Sequence, residues 1–401
     1  MHIKYRSARP VTAVLESNNL RSVGGQRDTV KRASIFSTPI PYRHERESSN
    51  MYTALWIDGQ GELVTKSINE PPKPTDGHAL VKVLYSGINP ADIKHADLGI
   101  KDTAAGYDFC GIVERTSPGS QYQEGDVIAG TTPTGLNRPS YYGTHQDYIL
   151  CTTDSLVDKL PKNVPQADAA CLAVTVRTAA DALFNRLGFP LPGEGGDARA
   201  KGPLLIWAAS TNLGTAAIQF AKAIDVSPII ATASQKNHAL LKELGATECF
   251  DYKDPDVVSK IQQAVSQSGE PLLHIIDAIG SMETKSADTA AACAGSATTS
   301  EDLKVACATA HPKYPMPFAI NDRDIELEIP HVGHITIPAR PKDAERVSKA
   351  YEWALENYGH GFKIAKVHVV SGNLEEAMAA VKQSGEGKAP FGKTVIKHPV
   401  A

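Results

Sequence analysis

The chain has 401 residues, with 41 Lys and Arg against 45 Asp and Glu, so its formal net charge is −4. A chain this close to neutral has no overall electrostatic attraction for nucleic acid. No apolar run approaches the roughly 18 residues of a membrane-spanning helix. The 42% hydrophobic and 21% charged content is typical of a globular protein, and the length suggests two domains. We therefore expect neither a nucleic-acid partner nor a membrane partner.

The charge is unevenly distributed along the chain. Residues 1–50 contain nine Lys or Arg and four Asp or Glu, so they carry +5 and the remaining 351 residues carry −9. They also lack helix or strand periodicity, which predicts a disordered basic extension. A mitochondrial targeting segment, a solvated extension and a start codon assigned too early all remain open. The four acids disfavour targeting, and ordered patterning begins directly after Met51, so a cytoplasmic location is expected.

Between residues 52 and 152, short apolar segments alternate with Gly and Pro turns. This spacing is typical of a small barrel-like β domain. Gly59 and Gly61 separate the first two segments and predict a hairpin. The predicted strands are residues 52–57, 63–68, 79–86, 108–113, 127–130 and 148–152. A helix is predicted over residues 166–187.

Beyond residue 203 the pattern changes to strands that alternate with helices, which predicts βαβ units and a parallel sheet. The predicted strands are residues 203–209, 228–233, 247–252, 272–277 and 303–309. The predicted helices between them are residues 213–224, 238–244 and 256–267. A final series of helix, strand, helix and strand is predicted at residues 342–357, 366–370, 374–382 and 393–397. We expect this tail to return to the first domain.

The first strand-to-helix turn of a parallel sheet is where backbone N–H groups attract phosphate. Here the turn reads WAASTNLG over residues 207–214, so only Gly214 remains of a G-x-G-x-x-G fingerprint. Ser210 and Thr211 could donate hydroxyl hydrogen bonds to a pyrophosphate, or they could simply cap the helix. The position after a strand and before a helix favours nucleotide binding.

The end of the second strand of the parallel sheet predicts which nucleotide binds. Sites for NAD usually place Asp or Glu there, but residues 232–237 contain no acid. Ser234 and Lys236 could bind a 2′-phosphate, and Tyr252 after the third strand could add a hydroxyl. We therefore expect NADPH; the alternative is that Lys236 is an ordinary exposed lysine.

Several motifs resemble the medium-chain dehydrogenase/reductase superfamily from residue 51 onward. They are GINPADIK at residues 87–94, GYDFCGIV at 106–113, EGDVIAG at 124–130, Thr178–Ala179 and FGKTV at 391–395. The resemblance implies an α/β chain with a GroES-like β-barrel catalytic domain and a Rossmann doubly wound parallel-sheet domain. The implied boundaries are 51–177 with 345–401 for the catalytic domain and 178–344 for the NADP-binding domain.

The sequence departs from the zinc-binding members of that superfamily, and these differences indicate which branch of it the chain resembles. Those members place a Cys where this chain has Pro90–Ala91 and a His-Glu pair where it has Tyr107–Asp108. Alanine cannot ligate zinc, and the six cysteines are far apart without a CxxC pair, so no metal is expected. The chain looks like the zinc-free quinone oxidoreductases and enoyl reductases, which leaves His95 and His145 structural or exposed.

Within that branch, three stretches look like fungal trans-acting enoyl reductases of polyketide biosynthesis: the Ser-Thr loop and residues 187–192 and 234–237. That resemblance implies a small-molecule or carrier-bound acyl substrate and a megasynthase partner. Two alternatives stay open: a quinone or enone oxidoreductase acting on free small molecules, and a non-catalytic NADPH-binding partner protein. Pro330 and Pro338 interrupt the apolar stretch 324–338 that could pair two copies, which favours a monomer.

The resemblance also implies site residues. Lys94 would lie near the nicotinamide ribose and orient the cofactor or donate a proton, unless it is a solvated lysine. Thr178 would lie beside the nicotinamide at the start of the inter-domain helix; the alternative is that its hydroxyl caps the helix or lies in the core. Residues 179–186 would border an acyl pocket. Asn89 and Asp92 are expected to shape their turn. Tyr52 and Tyr85 are candidate proton donors that nothing distinguishes. The full cofactor-binding set is Ala91, Asp92, Lys94, Ser210, Thr211, Asn212, Leu213, Gly214, Ser234, Lys236, Asn237, Tyr252, Phe391 and Gly392.

Overall fold

The fold is that of a computed structural model, which describes residues 51–400 apart from residues 154, 196–201, 297, 300, 320–321 and 372. The predicted basic extension, residues 1–50, lies outside the described residues. Within the described part, no helix is both long and apolar enough to cross a bilayer.

The first part of the described chain is rich in strands, as its pattern predicts. Its elements are β1 (Tyr52–Ile57), β2 (Leu63–Ile68), β3 (Ala79–Gly87), α1 (Ala91–Lys94), β4 (Thr103–Ala104), β5 (Asp108–Thr116), β6 (Val127–Thr131), β7 (Tyr148–Cys151) and β8 (Leu156–Lys159). Strands β1 and β2 pair antiparallel with Tyr52 opposite Ile68, which confirms the predicted hairpin. The two-residue strand β4 and the one-turn helix α1 are too short for periodicity to reveal.

The middle part contains the predicted alternation. Its elements are α2 (Gln166–Ala169), α3 (Ala173–Ala180), a π-helical segment (Asp181–Arg186), β9 (Leu204–Trp207), α4 (Asn212–Ala223), β10 (Ile229–Thr232), α5 (His238–Leu244), β11 (Glu248–Phe250), α6 (Val257–Ser268), β12 (His274–Asp277), α7 (Ser286–Ala292) and β13 (Lys304–Cys307). The strands form one parallel sheet in the order β11-β10-β9-β12-β13, which confirms the predicted sheet. The chain reverses its direction of winding between β9 and β12, where open parallel sheets bind ligands.

The last part returns to the first sheet. Its elements are β14 (Ile325–Ile329), β15 (Gly333–Ile337), α8 (Pro341–Glu356), β16 (Val367–Ser371), α9 (Leu374–Gly385) and β17 (Lys393–Lys397). Strands β14 and β15 pair only with each other among the described strands. Strand β17 pairs antiparallel with β3 and parallel with β16, which confirms the expected return of the tail. The seven-stranded sheet has the order β16-β17-β3-β5-β6-β8, with β7 also on β3. The proposed domain boundaries at residues 177/178 and 344/345 remain predictions.

The largest apolar core lies around α3, α4 and α8. The predicted single helix over residues 166–187 is divided into α2, α3 and the π-helical segment. Phe184 in that segment is buried and packs edge-on against Phe220 of α4, with ring centroids 5.2 Å apart. This packing holds α3 rigidly beside the parallel sheet.

Candidate active site

The turn between β9 and α4 is built for close approach of backbone to backbone. A Cβ atom on Gly214 would lie 2.6 Å from Ala209 Cα, so only glycine allows the helix to start this close to the strand. Thr211 is the N-cap, and its Oγ1 accepts a hydrogen bond from Gly214 N at 3.1 Å. Ser210, Thr211 and Leu213 are half-exposed. The capping interpretation of Thr211 is therefore confirmed, and its hydroxyl hydrogen stays available as a donor.

One hydrogen bond joins this turn to the other sheet. Asn212 Nδ2 donates to Gly392 O at 3.2 Å, so two residues predicted to bind the cofactor are in direct contact. Gly392 has a φ of +103°, and a Cβ there would lie 2.5 Å from Lys366 O. Phe391 and Gly392 are both half-exposed beside the start of α4.

The residues predicted to bind a 2′-phosphate lie at the carboxyl ends of β10 and β11. Ser234 is half-buried and precedes a 3₁₀ turn of residues 235–237, on which Lys236 is exposed and Asn237 half-exposed. Among the described residues, Lys236 has no ion-pair partner. Tyr252 is 45% exposed in the loop after β11. Because β10 and β11 are adjacent and parallel, these side chains lie at one edge of the sheet.

A hydrogen bond within the turn between β3 and α1 stabilises its shape. Asn89 N donates to Asp92 Oδ2 at 2.7 Å, which confirms that these two residues shape the turn. Asp92 is 3% exposed and also contacts His145 Nε2 at 3.0 Å. Its burial favours this structural contact over the predicted cofactor contact. Ala91 is half-buried and Lys94 is exposed, so these two are the residues of the turn that can meet a ligand.

Two expectations about helix α3 are wrong. Thr178 lies in its last turn, not at its start, because the helix already begins at Ala173. Thr178 Oγ1 donates to Val174 O at 2.6 Å, so its hydroxyl hydrogen is used within the helix and only its lone pairs remain free. Ala182 and Leu183 are fully buried in the apolar core. Residues 179–184 therefore do not offer the open pocket wall that was expected.

Sequence reasoning missed a buried polar cluster that joins four parts of the chain. Lys393 Nζ donates to Asn89 Oδ1 at 2.7 Å and to Ile88 O at 3.0 Å. Asp108 accepts from Asn89 Nδ2 and from Val174 N, both at 3.0 Å. Burial raises the pKa of the Asp108 carboxyl to about 6, although the nearby Lys393 ammonium opposes this. The cluster fixes β3, β5, β17 and α3 relative to one another.

The residues of that cluster can be found in the sequence motifs, but the sequence does not show that they contact one another. Asp108 and Lys393 each lie inside a quoted motif, and Asn89 and Lys393 are 304 positions apart. Within the described ranges, no three His, Cys, Asp or Glu side chains are grouped as metal ligands would be.

The arrangement joins the parallel sheet to the mixed sheet through the hydrogen bond between Asn212 and Gly392. Half-exposed hydroxyl and amide donors lie at the N-terminus of α4, a 12-residue helix. Helix N-termini and such donors stabilise phosphate. An unpaired lysine lies at the adjacent strand end. These groups are of the kinds that bind the phosphates of a dinucleotide.

Comparison with known proteins agrees with this architecture. The sequence matches the alcohol dehydrogenase GroES-like domain family over residues 75–162 and the zinc-binding dehydrogenase family over residues 213–302. The structure is similar to that of the CurK enoyl reductase, with a TM-score of 0.60 at 16% identity over 86% of this chain and 99% of that one. It is also similar to an NAD-dependent alcohol dehydrogenase, with a TM-score of 0.62 at 21% identity over 87% of this chain and 100% of that one. At these identities the similarity shows the fold.

Curated relatives are more similar in sequence. The trans-enoyl reductase resD of Aspergillus sclerotiorum is 35% identical over 55% of this chain and 64% of its own length. The trans-enoyl reductase ACTTS2 of Alternaria alternata is 35% identical over 52% of this chain and 61% of its own length. Both alignments cover less than two thirds of the relative. The trans-enoyl reductase tazE of Aspergillus terreus is 34% identical over 49% of this chain and 67% of its own length. The chain therefore belongs to the medium-chain dehydrogenase/reductase family, with a GroES-like domain and a Rossmann-type parallel sheet.

Proposed function

We propose that this protein is an NADPH-dependent enoyl reductase that adds a hydride to the α,β-double bond of an acyl chain bound to a separate carrier protein. The observation that carries the proposal is the hydrogen bond from Asn212, at the start of α4, to Gly392, which directly precedes β17. Lys393 of β17 also binds Asn89, in the turn that precedes Lys94, and this supports a cofactor that extends from the predicted phosphate loop toward Lys94. Relatives named trans-enoyl reductases support the reaction class.

The donor set fits a phosphorylated nicotinamide dinucleotide. Ser210 and Thr211 would donate to the pyrophosphate at the N-terminus of α4. Lys236 would hold the 2′-phosphate, because no carboxylate among residues 232–237 repels it. When bound, the cofactor supplies the hydride.

The residues around the reacting carbons have positioning roles. Lys94, exposed at the end of α1, would orient the nicotinamide ribose. Thr178 retains lone pairs facing outward from α3 and can accept a hydrogen bond from a ligand, but it cannot donate its own hydrogen without leaving Val174 O. The cluster of Asn89, Asp108 and Lys393 would hold these two elements at a fixed separation.

A megasynthase that carries the acyl chain is the proposed partner. The relatives' names place them with trans-acting enoyl reduction, in which substrate and reductase lie on different chains. A monomer is proposed, because Pro330 directly follows β14 and Pro338 directly follows β15, and proline interrupts a long paired edge.

The test is NADPH oxidation by the purified full chain with a panel of enoyl thioesters and quinones. Turnover of enoyl thioesters is expected. Turnover of quinones alone would contradict the proposal and favour an oxidoreductase of free small molecules. Tight NADPH binding without turnover of any acceptor would indicate a non-catalytic binding protein.

The cofactor preference has its own test. In Lys236→Ala the KM for NADPH should rise about tenfold, because one charge-assisted hydrogen bond to phosphate is worth about 1.5–3 kcal/mol. The KM for NADH should change little. Lys242→Ala is the matched control, since Lys242 is exposed on the neighbouring helix α5 and should leave both constants unchanged. Equal effects of the two substitutions would show that Lys236 does not bind the 2′-phosphate.

A further inference from the structure

Five buried or nearly buried polar side chains at the seven-stranded sheet are joined one to the next by hydrogen bonds. In order they are Asp92, His145, Ser86, His398 and Asp147. The successive contacts are Asp92 Oδ2 to His145 Nε2 at 3.0 Å, His145 Nδ1 to Ser86 Oγ at 2.9 Å, Ser86 Oγ to His398 Nε2 at 2.9 Å, and His398 Nδ1 to Asp147 Oδ1 at 3.0 Å. We call this line the buried relay. Its members come from α1, β3, the segment before β7 and the segment after β17.

Burial differs between the two ends of the buried relay. Ser86 and His145 are 0% and 1% exposed, so neither has contact with solvent. The side chain of Asp147 is 13% exposed, so that end reaches the surface. The other end, Asp92, is inside the protein. The line therefore connects solvent with an interior point next to the turn that carries Lys94.

The number of hydrogens in the buried relay does not match the number of its contacts. With both carboxylates ionised and both imidazoles neutral, the hydrogens available are one on each imidazole and one on the Ser86 hydroxyl. These three hydrogens cannot fill four hydrogen-bonded contacts. One additional proton shared along the line would supply the fourth hydrogen. Burial lowers the pKa of His398, although the adjacent Asp147 carboxylate opposes this.

The interior end opens onto a small polar cavity. Its polar lining consists of Asp92, His95, Thr103, Tyr107 and Arg138. Asp92 Oδ1 and Thr103 Oγ1 are buried and have no hydrogen-bond partner among the described residues. A cavity lined by two such oxygens suits an internal water molecule.

On the far side of the cavity, Tyr107 Oη lies 2.7 Å from His95 Nδ1. The phenol of Tyr107 also accepts from Thr134 Oγ1 at 3.3 Å. His95 directly follows Lys94 in the chain, so this pair lies against the turn proposed to meet the nicotinamide. Tyr107 stands where the zinc-binding relatives place a histidine of their His-Glu pair.

Other charged and titratable groups act on the two ends of the buried relay. Tyr52 and Tyr148 lie near Asp147. Arg138, His95, Tyr107 and Asp108 lie near Asp92. The guanidinium of Arg138, 4.3 Å from the Tyr107 ring centroid, offsets the negative charge at the interior end.

We propose that the buried relay is a proton path that carries a proton from the surface at Asp147 to the cavity at Asp92, from which the Tyr107 phenol delivers it to the substrate. The inference rests on the proposed function, because reduction of a carbon–carbon double bond by NADPH takes up one solvent proton per hydride. In the protonation step the Tyr107 O–H bond breaks and a C–H bond forms at the α-carbon, using the electron pair of the enolate. The resulting phenolate regains its proton through the cavity. Asp92, His145, Ser86, His398 and Asp147 are positioning residues, and Tyr107 is the catalytic one.

The decisive variant is Ser86→Ala, which removes the central hydroxyl without changing any charge. With NADPH and a crotonyl thioester, kcat should fall about tenfold or more, as expected when a positioned proton-transfer group is lost. The KM for the thioester should stay within about twofold of wild type, the solvent deuterium isotope effect on kcat should rise, and imidazole buffer should restore part of the rate. Ser155→Ala is the matched control, because Ser155 is also buried and hydrogen-bonded, to Thr152 N, but lies outside the buried relay. A folded Ser86→Ala protein with wild-type kcat and isotope effect would overturn the proposal.

A second measurement needs no turnover. In histidine-labelled wild-type protein, the ¹⁵N resonances of His145 and His398 should respond to pH as one coupled unit, and Ser86→Ala should separate their responses. Independent midpoints for the two rings in the wild type would refute a shared proton, even if the variant does not fold. Wild-type inactivity with every acceptor would refute the proposed function, whereas the coupled titration would still decide whether the proton is shared.

Discussion

The substitution Gly214→Ala tests the phosphate loop most directly. The added Cβ would lie 2.6 Å from Ala209 Cα and 2.7 Å from Ala209 O, both backbone atoms of the strand-to-helix turn. Ordinary contact begins at 3.4 Å, so the start of α4 must retreat by about 0.8 Å. Overpacking of this kind costs about 1–3 kcal/mol, and the gain from replacing a helical glycine offsets about 0.5–1 kcal/mol of it. The free energy of unfolding should therefore fall by at most about 2.5 kcal/mol.

The larger effect should be on cofactor affinity. A retreat of this size misaligns the N–H and hydroxyl donors at the start of α4, and loss of one charge-assisted hydrogen bond costs about 1.5–3 kcal/mol. The Kd for NADPH, measured by calorimetry or by fluorescence, should rise about tenfold or more. Gly361→Ala is the control, because the nearest atom to its new Cβ would be Asn357 Cβ at 3.8 Å. If Gly214→Ala matched this control in urea stability and NADPH affinity, the reasoning about close approach would be refuted.

Two further predictions concern buried charge. Lys393→Met leaves Asn89 and Asp108 without their cation, so the free energy of unfolding measured in urea should fall by about 3–5 kcal/mol. Adding Asp108→Asn to Lys393→Met should recover part of that loss. If the losses of the two substitutions were strictly additive, the pairing of Lys393 with Asp108 would be contradicted. His95 has its pKa lowered from 6.5 to about 4 by burial. The folded state therefore binds fewer protons than the unfolded state between those values, so stability is complete above pH 6.5 and falls as the pH approaches 4. His95→Gln should flatten this part of the stability curve relative to wild type, and an unchanged slope would show that another group is responsible.

Much of the candidate site follows from local sequence. The loop at residues 207–214 lies between a strand and a helix, as its pattern predicts, and Thr211 caps that helix. The lysine expected beside a 2′-phosphate, Lys236, lies at the end of the second parallel strand. These features depend on a few consecutive residues, so hydrophobic period and turn chemistry are enough to find them.

Other parts of the site could not be found in this way. Thr178 was placed at the start of a helix on the basis of the family resemblance, which does not fix where this chain's helix begins, and α3 already begins at Ala173. Residues 179–184 of the expected pocket wall are buried, and most of them pack into the apolar core, since apolar residues suit either role. The residues of the β14–β15 hairpin were expected only to form an apolar edge, interrupted by prolines, that could pair two copies of the chain.

The sequence by itself determined the strand-rich first part of the chain, the later alternation of strands and helices, and the parallel sheet, because each is encoded in neighbouring residues. Only the tertiary structure decided which distant polar groups meet. Asp108 and Lys393 come together because β17 returns to pair with β3. The same return brings His398 to Ser86, 312 positions away. Burial without a partner is costly for polar groups, so the fold satisfies them through contacts that no local pattern records.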